Sequence, residues 1–164
     1  MVGVLALLLA ACGGALESDT IAGDELTEVG GCGDARAYAA TADDRHLISV
    51  RWDGAATRAV EAGGLDEQVR LAHDDVEVEL QIGQQLAERL CTDVIDPAWP
   101  EIEQRWTAVA GGAGIVVEAA EDDHPVATVT LHDVEFEQTQ DGGDHRWRLE
   151  EVEIVEVDIG WYAG

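Results

Sequence analysis

Carboxylates are the most abundant side chains of this chain that could do chemistry. The sequence contains 35 Asp and Glu residues against nine Lys and Arg, and its formal net charge at pH 7 is −26. Calcium takes several hard oxygen ligands in flexible geometry, so acidic loops are candidate calcium sites. The candidates are Glu121, Asp122 and Asp123 in one predicted loop and Asp141 and Asp144 in the next. We predict no cofactor: turn aspartates facing water are the favoured interpretation of these residues, and a calcium ion is the alternative.

Catalytic patterns are missing from the sequence. The two serines, Ser18 and Ser49, do not lie in a GxSxG motif, and the chain contains no lysine that could form a Schiff base. Two carboxylates facing each other across a cleft could hydrolyse a glycosidic bond, but no motif places such a pair. We therefore predict that the protein is not an enzyme, with a small carboxylate-dependent hydrolase as the less favoured alternative.

Trp99 is the candidate ligand-contact residue. It lies in the segment Pro97-Ala98-Trp99-Pro100, where the two prolines favour a loop and make complete burial of the indole difficult. Exposed tryptophans combine a large apolar area with an N–H donor, which suits contacts with glycans and proteins. The alternative is that Trp99 packs over one end of the folded domain.

The N-terminal residues carry a targeting pattern. A short apolar run, Val2 to Ala11, leads into Leu9-Ala10-Ala11-Cys12, and it has about half the ~20 residues needed to cross a bilayer. The segment resembles the lipobox of bacterial lipoprotein signal peptides, although no cation precedes the apolar run. The resemblance implies that residues 1–11 are a signal peptide that is removed and that Cys12 carries a diacylglyceryl group. It also implies an extracytoplasmic protein anchored to the cell membrane or envelope, whereas the alternative is a buried apolar strand with a chance cysteine.

The other two cysteines form a natural pair once Cys12 is assigned to the lipid. The chain has three cysteines, and export permits a disulfide between Cys32 and Cys91. The alternative is two buried free thiols. The spacing of the three cysteines gives no sign of a structural zinc site.

The segment after Cys12 is predicted to be a flexible tether. Residues 13–31 contain five acidic residues, five glycines and no cation or aromatic side chain, which is typical of disorder. We therefore expect a lipid-attachment cysteine and a disordered acidic tether over residues 12–31, followed by one folded domain over residues 32–164.

The sequence shows no cluster of arginines, so nucleic acid is excluded as a partner by charge. The expected partners are the membrane, through the lipid, and an envelope protein or glycan, and the protein is expected to be a monomer.

The predicted domain is all-β. Residues 76–82 alternate apolar and polar side chains, which is typical of a strand with one buried face. Further strands are predicted over residues 36–41, 45–52, 105–110, 114–119, 126–136 and 149–161, with a hairpin at Gly111-Gly112-Ala113. Short helices are predicted near 55–62 and 84–90, and the alternative for the second is a strand that leads into Cys91. In the last two strands the apolar side chains switch partway along between even-numbered and odd-numbered positions. A strand with one buried face can make this change of parity only through a bulge or a move between sheets. About seven or eight strands with one disulfide predict an immunoglobulin-like β-sandwich, and a small β-barrel is the alternative.

Three short stretches carry a second resemblance: Gly31-Cys32-Gly33-Asp34, Leu90-Cys91-Thr92-Asp93-Val94-Ile95 and Ile159-Gly160-Trp161-Tyr162-Ala163-Gly164. They are similar to stretches in a group of secreted or lipid-anchored β-domains of high-GC bacteria that have no assigned activity. The resemblance implies a β-domain and supplies neither a function nor site residues. We expect a lipid-anchored extracytoplasmic binding or structural module of the cell envelope, with a calcium-stabilised adhesion module as the alternative.

Overall fold

The computed structural model describes residues 18–73, 75–92, 96–119, 124–138 and 145–160. Within these ranges the chain forms nine β-strands, two short α-helices and one turn of 3-10 helix. The elements are β1 (Ser18–Ile21), β2 (Leu26–Cys32), β3 (Arg36–Thr41), β4 (His46–Trp52), α1 (Ala55–Ala62), β5 (Leu65–Arg70), β6 (Val76–Ile82), α2 (Leu86–Leu90), β7 (Gln104–Glu118), β8 (Val126–Gln138) and β9 (Arg146–Asp158). The predicted all-β fold is confirmed, and so is the predicted disulfide between Cys32 and Cys91.

All nine strands belong to one curled sheet. Its order is β1-β9-β8-β7-β6-β4-β3-β2, and β5 pairs with the second half of β7. The sheet curls, so that β2 at one end of this order approaches the end of β9. There the N–H of Gly160 donates to the carbonyl of Gly33 at 2.6 Å. Gly31 permits this approach, because a Cβ there would lie 2.6 Å from the carbonyl oxygen of Asp158. The predicted all-β fold is thus built as one curled sheet, and the approach of β2 to β9 resembles the alternative prediction of a small barrel.

The predicted disordered tether is wrong for residues 18–31. Strand β1 pairs in parallel with the start of β9, and β2 pairs with β3. Ile21 and Leu26 are buried in the main core, with 3% and 5% of their surface exposed. The composition of the segment predicts disorder because it considers the segment alone, whereas its two apolar side chains are stabilised by strands elsewhere in the chain. Folded structure therefore extends before the predicted domain boundary at Cys32.

The main core fills the inside of the curled sheet. Alternate residues of the strands point into it, and its largest fully buried side chains include Trp52, Trp106 and Phe136. Full burial of a phenylalanine side chain such as Phe136 contributes about 1.5–3 kcal/mol. A second, smaller cluster lies on the outer face of β3 and β4, where Leu86 packs against Ala40 and Leu47. This outer cluster attaches α2 to the sheet.

The predicted hairpin at Gly111-Gly112-Ala113 is wrong. Strand β7 runs straight through these residues and pairs with β8 on both sides of them, from Trp106 to Glu118. The register shifts between Ala108 and Gly112, and Gly111 has φ of 115°. The glycines therefore form a β-bulge. A turn and a bulge both use the positive φ that glycine adopts easily, so the residue types alone do not distinguish them.

The predicted parity change in the two long strands is confirmed. Asp133 of β8 and Glu156 of β9 have positive φ, at 52° and 53°. In β9, Ile154 is fully buried before the bulge and Val157 is 4% exposed after it, whereas Val155 between them is 43% exposed. The buried face therefore changes parity there.

The helix predicted near residues 55–62 is present as α1. Neither of the two helices in the described ranges is long and apolar enough to cross a membrane.

Candidate functional site

A polar cleft of about 350 Å³ lies between α2 and the outer face of the sheet, and we call it the arginine cleft. Strands β3, β4 and β6 contribute Arg36, Ser49, Arg51, Glu77, Glu79 and Gln81. Helix α2 contributes Leu86, Arg89 and Leu90, and the residues that follow it contribute Ile102 and Arg105. The cleft thus draws on residues that are widely separated in the sequence.

Strand geometry places these polar side chains on one face. Alternate residues of β4 point into the core, so Ser49 and Arg51 between them point outward. The strand register places Arg36 opposite Arg51, and Arg51 opposite Glu77. A row of charged side chains therefore crosses three neighbouring strands beside α2.

Two of the four arginines form ion pairs within the cleft. Arg51 Nη2 lies 2.9 Å from Glu77 Oε2, and Arg105 Nη1 lies 3.5 Å from Glu79 Oε2. Gln81 Nε2 donates to the same oxygen of Glu79 at 3.1 Å. Both arginine side chains are nearly half exposed, so each pair is expected to contribute less than about 1 kcal/mol to folding.

The other two arginines, Arg36 and Arg89, are half-buried and contact neutral groups. Arg36 Nη1 donates to the carbonyl of Leu90 at 3.3 Å, and Arg89 Nη1 donates to the carbonyl of Pro100 at 2.5 Å. The guanidinium of Arg89 also lies over the ring of Trp99, with Cζ 5.8 Å from the ring centroid. Neither arginine forms an ion pair with a carboxylate in the part of the chain that the structure describes.

The floor of the cleft contains buried polar groups. Ser49 is 7% exposed and Gln81 is 5% exposed, and within the described ranges these are the only buried polar side chains. Both line the arginine cleft. Gln81 has a partner in Glu79, and the packing of an apolar core does not require polar side chains at these two positions.

The disulfide holds the end of α2 next to the cleft. The Cα atoms of Cys32 and Cys91 are 5.6 Å apart, and Cys91 directly follows Leu90, whose carbonyl binds Arg36. A second cavity of about 330 Å³ lies against the disulfide and shares Arg36 and Arg51 with the arginine cleft. The covalent bond therefore positions one wall of the candidate site.

The sequence analysis missed the four arginines of the cleft. Their numbers, 36, 51, 89 and 105, show no cluster along the chain, and the prediction that arginines do not cluster is wrong in three dimensions. One signal was present: Arg36, Ser49 and Arg51 occupy polar positions of two neighbouring predicted strands. The contribution of α2 and Arg105 depends on packing that no local pattern reveals.

Trp99 lies beside the cleft, half-buried against Arg89. Its loop is held by a turn in which the N–H of Ala98 donates to Asp96 Oδ1 at 2.8 Å. Direct contact of Trp99 with a ligand stays a prediction. The other predicted site residues, which are Cys12, Glu121, Asp122, Asp123, Asp141 and Asp144, lie outside the described residues.

Calcium binding also stays a prediction. In the ranges that the structure describes, no group of three or more His, Cys, Asp or Glu side chains could hold a metal ion. The calcium alternative predicts that CaCl2 at ten times its dissociation constant stabilises the fold by about 1.4 kcal/mol, measured as a higher melting temperature than in EGTA. Asp122→Asn with Asp144→Asn should remove the difference. Identical melting curves of the unaltered protein in CaCl2 and EGTA would exclude this alternative.

Two carboxylates of the cleft bear on the hydrolase alternative. Glu77 and Glu79 both line the cleft, two residues apart on one face of β6. Acid–base hydrolysis needs one carboxyl group to give a proton and the other to act as base or nucleophile. Here one oxygen of each carboxylate pairs with an arginine of the cleft. The hydrolase alternative stays a prediction.

Comparisons with known proteins gave no match: no protein-family model, no curated protein and no solved structure matches this chain. The chemistry of the cleft is therefore inferred from its own residues.

Proposed function

We propose that the chain is a lipid-anchored extracytoplasmic binding module of the cell envelope, without enzymatic activity, and that the arginine cleft is its ligand site. The observation that carries this proposal is the position of Ser49 and Gln81, which are buried polar side chains in the floor of a cavity lined by four arginines. A small number of convergent polar groups in a concave site is typical of ligand-binding pockets.

A purely structural role for the cleft is less favoured. Helix α2 is already attached by the packing of Leu86 against Ala40 and Leu47 and by the disulfide that follows it. The ion pairs of Arg51 and Arg105 are exposed and add little to stability. Four arginines at one place therefore exceed what the attachment of α2 requires.

The location rests on the lipobox resemblance at Cys12. The Cys32–Cys91 disulfide supports it, because disulfides are typical of exported proteins. We expect mass spectrometry of the mature N-terminus to find a diacylglyceryl adduct on Cys12. We also expect Cys12→Ser to move the protein from the membrane fraction to the soluble fraction. An unmodified mature terminus that begins elsewhere would contradict the anchor.

The binding role is tested by a thermal-shift screen of sugars, polyols, amino acids and inorganic anions. We expect at least one compound to raise the melting temperature of the unaltered protein and not that of Ser49→Leu, because the added side chain fills the floor of the cleft. Thr130→Leu is the matched control, since Thr130 lies on β8 between the inward-pointing Val129 and Leu131 and does not line the cleft.

Near-ultraviolet circular dichroism of both variants checks that their tertiary structure is intact. The proposal fails if every stabilising compound acts equally on the Ser49→Leu and Thr130→Leu proteins.

A further inference from the structure

From the charges of the arginine cleft, we infer that its ligand is a compact dianion with phosphate or carboxylate groups, bound between Arg36 and Arg89. This inference rests on the proposed function and adds the chemical class of the ligand. It concerns a molecule with two negative charges, whether they belong to one phosphate or to two carboxylates.

The formal charges of the lining are unbalanced. Four arginines line the cleft with two glutamates, and Arg51 also lies 3.6 Å from Asp53 just outside the lining. Among the described residues, the two positive charges of the cleft without a carboxylate partner are therefore those of Arg36 and Arg89. Like charges held in one cavity repel each other, and this repulsion is relieved when a dianion binds. The chain as a whole has a net charge of −26, so a positive cavity is an exception on a surface that otherwise repels anions.

Arg36 and Arg89 differ from the arginines elsewhere on the surface. Arg45, Arg58 and Arg146 each pair with a glutamate. Among the described residues, the contacts of Arg36 and Arg89 are instead two backbone carbonyls and an indole ring. A half-buried guanidinium without a carboxylate partner gains most from an anionic ligand.

The donors that remain suit an oxyanion. A guanidinium has five N–H donors in a planar fork, and Arg36 and Arg89 each give one to a carbonyl. The fork matches the oxygens of a carboxylate or phosphate in a two-point contact, which an ammonium group cannot make. Trp99 and the Pro100 carbonyl fix the position of Arg89 before a ligand arrives, which reduces the entropy lost on binding.

The size of the cleft limits the ligand to a compact molecule. Its volume of about 350 Å³ is near the lower end of the range for small-molecule pockets. The hydroxyl of Ser49 in the floor adds a neutral donor or acceptor for the same molecule.

Capping of α2 is an alternative role for Arg36. Its bond to the Leu90 carbonyl satisfies an acceptor at the C-terminal end of the helix. A cap affects the stability of the fold, whereas a ligand contact affects the dissociation constant. The two roles are therefore separated by measuring both quantities on the same variant.

The experiment is calorimetric titration of the Cys12→Ser protein with sodium phosphate, glycerol phosphate or disodium succinate, against NaCl at equal ionic strength. The first two arms distinguish free phosphate from a phosphate ester, and the third tests a dicarboxylate. We expect at least one dianion to bind, and Arg36→Gln and Arg89→Gln each to weaken binding about 10- to 100-fold through the loss of charge-assisted hydrogen bonds. Arg58→Gln is the matched control, because Arg58 pairs with Glu67 and lies outside the cleft.

Three results would overturn the inference. The first is that no dianion binds beyond the effect of NaCl, and the second is that Arg89→Gln binds as tightly as Arg58→Gln. The third is a lower melting temperature of Arg36→Gln with unchanged affinity, which would assign Arg36 to capping. If no dianion binds but a neutral compound from the thermal-shift screen binds in a Ser49-dependent way, the dianion is excluded and the binding module stands.

Discussion

Replacing Leu26 or Ile21 by alanine should each lower the free energy of unfolding by about 2–5 kcal/mol. Both side chains are almost fully buried in the main core, at 5% and 3% exposure. Removing a buried aliphatic side chain loses its transfer free energy and leaves a cavity. The effect is large compared with the total stability of about 5–15 kcal/mol that is usual for a domain. The loss is measured by comparing the free energies of unfolding of the variants and the parent protein in urea, all in the Cys12→Ser background.

Val29→Ala is the matched control for this prediction. Val29 lies on the same strand as Leu26 and is 44% exposed, so its truncation should cost less than about 1 kcal/mol. If residues 18–31 were a disordered tether, all three substitutions would have equally small effects. That outcome would contradict the pairing of β1 and β2 with the rest of the sheet.

Removing the disulfide by Cys32→Ala with Cys91→Ala should cost about 4 kcal/mol, because the bond closes a loop of 59 residues in the unfolded chain. Urea unfolding in the Cys12→Ser background excludes exchange with the remaining cysteine. Unfolding of the parent protein in dithiothreitol should approach the value of the double alanine variant. The control is the double variant in dithiothreitol, whose stability should not change.

The disulfide prediction extends to the cleft. Cys91 follows Leu90, and the Leu90 carbonyl positions Arg36, so a released α2 should also weaken ligand binding in the folded variant. A loss of stability with unchanged affinity would show that Leu86 alone holds the helix in place. Stability unchanged by removal of the disulfide would contradict the constraint itself.

The elements that the sequence predicts well are those with a strong local pattern. Strand β6 was predicted over residues 76–82 and has these bounds, because alternation of apolar and polar side chains follows directly from the geometry of a strand with one buried face. The change of parity in residues 149–161 predicts a bulge for the same reason, and Glu156 supplies it. The position of helix α1 also follows from a local pattern of alanines between glycines, although its eight residues are stabilised by packing of Ala55 and Ala59 in the main core.

Elements without a local pattern were missed or misread. Ile21 and Leu26 stand alone among polar residues and glycines, and they form strands because β9 and β3 supply their hydrogen bonds. Gly111 and Gly112 are compatible with a turn or a bulge. Only the continuous pairing of β7 with β8 selects the bulge. In both cases the deciding partner lies far along the chain.

The amino-acid sequence alone is sufficient to predict the all-β class, the Cys32–Cys91 pair and the acidic surface, because periodicity, cysteine count and charge are properties of composition and local order. It does not predict the arginine cleft. Arg36 and Arg51 meet through strand register, and Arg89 and Arg105 join them through the packing of α2 and the pairing of β6 with β7. The candidate site therefore depends on the curled sheet, which brings together side chains that no spacing in the sequence relates.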